Sequence, residues 1–160
     1  NHWQKAGDAY YEASMYALDR AKIEKLGQKT RHAYEKVSAQ QPDNLDVKHN
    51  IAMTYVASSN PMQGIMMLRG ILDIDPKNQQ TLFSMGIMSI NTNQYENAVE
   101  KFETLVENYP QHIEGNFYLG VSYYETGQLV KARVQFEKIK ELGANEQIIT
   151  AADEFLEKIS

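Results

Sequence analysis

Between Leu119 and Ile139 the apolar positions fall on two helical faces. Leu119, Gly120 and Tyr123 share the first, and Ala132, Phe136 and Ile139 recur at i, i+4 and i+7 on the second. The stretch between them, Glu125-Thr126-Gly127-Gln128, is polar and has a glycine where a helix is expected to stop. The pattern predicts two helices of about 14 residues each, antiparallel across a tight turn.

The same pattern returns along the chain. Pro42, Pro76 and Pro110 stand 34 residues apart, and one more step lands on Ala144. Counting back from the last three of these points, small residues recur at Ala52, Gly86 and Gly120 and again at Gly64, Ala98 and Ala132, and large ones at Leu68, Phe102 and Phe136. Small residues let two helix backbones approach, and the large ones fill the space beside them. Proline after the second helix prevents its continuation, and Asp75-Pro76-Lys77-Asn78 supplies a turn followed by an N-cap. In Ser58–Gly70, Asn60 and Pro61 read as N-cap and first helical residue, Gly64 as the close-contact position, and Leu68 with Ile71 as core. Only Met62 and Met66 are left facing outward, where the next unit has Glu96 and Glu100.

The ends vary the theme. Before Leu45 the landmarks are present but lie 11 residues too far apart, Gly7 to Thr30, which is about three helical turns and predicts a lengthened hairpin. After Asn145, Ile148, Ile149, Ala152, Phe155, Leu156 and Ile159 form one apolar face and predict a helix that closes the array. The expected organisation is a single domain: an extended first repeat at 1–44, repeats at 45–78, 79–112 and 113–146, and a capping helix at 147–160.

Composition narrows the function. Apolar residues make up 42% and charged residues 23% of 160, which is globular composition, and no apolar run nears the length of a membrane span. The net charge of −5 without basic clusters argues against nucleic-acid or anionic-membrane partners. The absence of cysteine removes disulfides and thiolate chemistry. The four histidines are dispersed, and no phosphate-binding loop, nucleophile elbow or metal-ligand spacing occurs, so neither an enzyme nor a metal or cofactor site is expected. Because the chain begins at Asn1, it is expected to be a fragment or processed product.

Leu119-Gly120-x2-Tyr123, Ala132-x3-Phe136-x2-Ile139 and the closing Pro76 and Pro110 resemble the tetratricopeptide repeat, over Leu45 to Ala144 almost without a gap. The departures are Lys48, Leu82 and Asn116 where a bulky aromatic is usual, and Ala144 in place of proline. The resemblance implies an all-α, right-handed superhelical solenoid of antiparallel hairpins with a C-terminal capping helix. Such a fold implies a non-enzymatic scaffold or adaptor whose concave groove takes an extended or helical protein segment. Matching positions place His49, Asn50, Met53, Phe83, Ile87, Ile90, Phe117, Tyr118, Val121 and Tyr124 in that groove. The positions where relatives clamp a carboxylate carry His49, Met53, Ser84, Glu114 and Tyr118 here, so the expected ligand is apolar or amphipathic. The competing reading is that the groove aromatics pack on neighbouring helices or on the chain's own termini.

On the convex side Met62, Met66, Val130 and Val134 are contact candidates, and self-association or tethering within a larger protein is the alternative function. Glu96, Glu100, Glu103 and Glu107 read as a solvated acidic face, with a basic partner as the sharper alternative. Trp3, Tyr10, Tyr11 and Tyr16 read as packing aromatics in preference to a ligand cage. The resemblance also extends to bacterial envelope proteins carrying such repeats behind an anchor, so cytoplasmic and periplasmic or envelope-tethered settings both stay open.

Overall fold

The stops predicted at Pro76, Pro110 and Gly127 are helix ends in the computed structural model, which describes residues 2–159. The described residues form nine helices and no strand: α1 (His2–Met15), α2 (Arg20–Gln40), α3 (Leu45–Val56), α4 (Pro61–Ile74), α5 (Gln79–Asn91), α6 (Tyr95–Asn108), α7 (Ile113–Glu125), α8 (Leu129–Glu141) and α9 (Glu146–Ile159). They belong to two compact units, Asn1–Pro76 and Lys77–Ser160. In the first unit α1 packs on α2, α2 on α3 and α3 on α4. In the second, each helix from α5 to α9 packs on the next, and α5 also touches α7.

Local chemistry sets the boundaries. Asn44 and Asn78 cap α3 and α5, accepting from the amides of Val47 and Thr81 at 3.1 Å each. Gly127 ends α7 at φ 74°, and Asn93, its counterpart one repeat earlier, takes the same left-handed conformation at φ 56°. Asn60 differs from expectation. It holds the N-cap position before Pro61, but its side chain makes no cap bond and instead donates to Gln63 Oε1 at 3.1 Å.

The small residues stand where two elements meet. A Cβ on Gly86 would strike the Phe102 ring, and one on Gly64 would strike the backbone carbonyl of Ala52, which has no rotamer to yield. Phe102, Phe136, Leu68, Leu105 and Ile139 are fully buried beside these contacts.

The lengthened hairpin lengthens chiefly in α2. That helix has 21 residues, against 14 in α4 and α6. Its extra residues precede Thr30, so the turn at 16–19 stands farther out than in the regular hairpins. The buried face of α2, Gly27, Thr30, Ala33, Tyr34 and Val37, keeps helical spacing throughout. Tyr11 packs against this core and Tyr10 is half-buried, but Tyr16 is 79% exposed, so the packing role expected of it fails. A residue at the far end of an extension has no neighbouring helix to meet.

Candidate protein-interaction surfaces

In the second unit the first helices α5 and α7 lie side by side, and between them they carry only two charged residues, Glu114 and Glu125, and no lysine or arginine. Phe83, Ile87, Ile90, Phe117, Tyr118, Val121 and Tyr124 are all half-buried on these helices. Much of the aromatic area is used internally. Phe83 meets Phe102 edge-on at 6.0 Å and lies 5.2 Å from the His112 ring, while Tyr118 stacks on Phe102 at 5.9 Å. Phe155 of α9 stacks on Phe136 at 4.8 Å and meets Tyr124 at 5.1 Å and Phe117 at 6.3 Å. The capping helix therefore takes part of the aromatic surface that the sequence offered to a ligand. Ile87, Ile90 and Val121 lie outside these ring contacts.

In the first unit the positions assigned to the groove are mostly committed to the fold. His49 is 3% exposed, too buried to line an open groove, and burial pushes its pKa below the ordinary 6.5. Asn50 donates to the Tyr34 hydroxyl at 3.2 Å, and that hydroxyl donates to Asp8 Oδ1 at 2.8 Å. Burial first, and then the Asp8 carboxylate, push the Tyr34 pKa upward. Arg31 completes the tie between α2 and α3: it donates to Thr54 O at 3.2 Å, pairs with Glu24 at 3.3 Å and lies over the Tyr55 ring. Met53 is half-buried.

The acidic row on α6 is less uniform than its spacing suggested. Glu96, Glu100 and Glu107 are exposed, but Glu103 accepts from the Tyr123 hydroxyl and lies 3.7 Å from Lys131. Burial and that carboxylate raise the Tyr123 pKa. On the second helices, Met62 and Met66 are 60% and 66% exposed, and Val130 and Val134 are exposed as well. Ile74 extends the α4 patch beyond what the repeat register had singled out.

A second surface overturns the expectation that the chain has no basic cluster. Lys22, Lys25, Lys29, His32 and Lys36 succeed one another at spacings of 3, 4, 3 and 4 and are all exposed, and Met15, Tyr16 and Leu18 protrude at the turn before them. The heptad spacing was the available signal, but a chain-wide charge of −5 hid it. Among the described residues no group of three or more histidine or acidic side chains is placed to hold a metal ion, and no helix is long and apolar enough to cross a membrane.

The helices and their pairings define an all-α solenoid of helical hairpins. Residues 80–112 and 114–142, all within the second unit, match the tetratricopeptide repeat family. Solved structures agree in fold. PilF of Pseudomonas aeruginosa superposes with a TM-score of 0.72 at 20% identity, covering 99% of this chain and 71% of that one. A tetratricopeptide repeat protein from Parabacteroides merdae gives 0.71 at 17% identity, covering 97% and 60%. MamA of strain AMB-1 gives 0.70 at 18% identity, covering 99% and 81%. No curated protein matches the sequence.

Proposed function

We propose that this protein is a non-enzymatic scaffold that binds an apolar or amphipathic protein segment on the first-helix face of its second unit. The observation that carries the reading is the composition of that face: half-buried aliphatic and aromatic side chains on two adjacent helices with no cation among them. A carboxylate-terminated ligand would find no lysine or arginine there to pair with, whereas an apolar segment would cover Ile87, Ile90 and Val121. Covering what remains exposed of such half-buried side chains supplies about 1 kcal/mol each before ordering costs. Glu114 and Glu125 at the margins favour a ligand with basic flanks over one with acidic flanks.

The test is selection from a random peptide display library against the whole chain. The expected winners are apolar at helical spacing and poor in acidic residues, and they lose affinity to the Ile87→Glu, Val121→Glu double variant. These positions are chosen because Phe83 and Phe117 hold the fold together through Phe102, Phe136 and Phe155. Acidic winners, or winners indifferent to the double variant, would refute the reading.

A second reading, self-association or tethering, is favoured by the exposed Met62, Met66 and Ile74 on α4 and Val130 and Val134 on α8. Light scattering over a range of concentrations separates the two, since a strict monomer removes it.

A further inference from the structure

The first hairpin concentrates two features that its own fold does not use. Along the exposed side of α2, Lys22, Lys25, Lys29, His32 and Lys36 follow at i+3 and i+4 steps, spanning about 21 Å at 1.5 Å per residue. Like charges at these spacings repel and weaken a helix, and among the described residues none of the four lysines is ion-paired. Two nearby acids are engaged elsewhere, Asp19 capping α2 through the amides of Ala21 and Lys22 and Glu24 pairing with Arg31, while Glu35 is exposed next to Lys36. At the end of the stripe the turn projects Met15, Tyr16 and Leu18, which are 71%, 79% and 102% exposed. Two aromatic rings of α1 border the stripe, Tyr10 under Lys29 at 5.2 Å and Trp3 edge-on to His32 at 5.8 Å. Within its first 40 residues the chain has seven basic and five acidic side chains, although the whole is −5.

We propose that the first hairpin docks on a bilayer surface rich in anionic headgroups, with the lysine stripe facing the phosphates and Met15, Tyr16 and Leu18 entering the interface. A protruding apolar tip is the shape a bilayer accepts, and lysines with tyrosine and tryptophan beside them suit the headgroup layer. The contact is peripheral and uses no spanning helix.

The intact chain is floated with vesicles of equal parts phosphatidylcholine and phosphatidylglycerol, and with phosphatidylcholine vesicles alone. The expected result is binding to the mixed vesicles only, weakening as salt is raised, with a blue shift of Trp3, the single tryptophan. Lys22→Gln with Lys25→Gln should reduce affinity on the order of 30-fold. Tyr16→Ser with Leu18→Ser should also release the protein, while circular dichroism stays unchanged because both side chains are exposed. No binding to the mixed vesicles, equal binding to the neutral ones, or indifference to the lysine changes would overturn the proposal. Capture of polyglutamate in place of vesicles would overturn it too and assign the stripe to an acidic protein.

Discussion

The α1–α2 and α5–α6 hairpins solve one packing problem in two ways. In each, a glycine on the first helix lies against an aromatic ring on the second: Gly7 against Tyr34, and Gly86 against Phe102. Phe102 completes an apolar cluster with Phe83 and Tyr118, while Tyr34 carries a hydroxyl shared between Asp8 and Asn50. The regular hairpin is thus held by ring packing, and the extended one by ring packing plus a polar tie. Their outer sides diverge as well, acidic on α6 and basic on α2. The repeat constrains the contact where helices meet and leaves ring chemistry, length and outer charge free to vary.

Substitutions that exchange the two solutions sharpen this contrast. The largest effect is expected from Phe102→Ala, which should cost about 3 to 5 kcal/mol in urea unfolding because the ring is fully buried. Gly86→Val forces a side chain into that ring and should cost about 1 to 3 kcal/mol. Phe102→Tyr, which gives the second unit the first unit's hydroxyl without its partners, should lose a similar amount. Tyr34→Phe should lose only about 1 kcal/mol, since Asp8 is exposed and water can replace the hydroxyl. If Phe102→Tyr proved milder than Tyr34→Phe, the division between ring packing and polar tie would be wrong.

The two units should share an alkaline response and differ on the acid side, where the first holds the buried His49. His49 is held neutral by burial, with its folded pKa below 6.5. Its contribution is therefore complete above that value and is lost as the pH falls toward the folded pKa, because the unfolded chain binds the proton first. Tyr34 and Tyr123 have raised pKa values, so their contributions are complete below 10.0 and fade as the pH rises beyond it. Urea midpoints followed from pH 7 to pH 5 should decline, and His49→Asn should flatten that decline. The smallest effect belongs to Met62→Glu with Met66→Glu: both side chains are exposed, and stability should change by less than about 0.5 kcal/mol. Any loss of association in that variant would then report on the surface alone.

The hairpin register was legible because it is periodic. Gly86 with Phe102 and Gly120 with Phe136 recur 34 residues apart, and packing permits little else at those places. Side-chain commitments were less legible. Position alone does not tell whether His49 points outward or is buried, or that Phe155 would turn back onto Phe117 and Tyr124. Asn60 precedes a proline as a cap should, yet at φ −124° and ψ 62° its side chain turns to Gln63. The lysine stripe lies on the one segment that breaks the period, where comparison with other repeats gives no guide.

Methyl resonances of Ile87, Ile90 and Val121 test most directly the proposal that the α5–α7 face receives an apolar segment. Titration of the whole chain with the tightest library-selected peptide should shift these three and leave the exposed methyls of Val130, Val134 and Met62 unmoved. Shifts confined to Val130, Val134, Met62 and Met66, with Ile87 and Val121 silent, would contradict it.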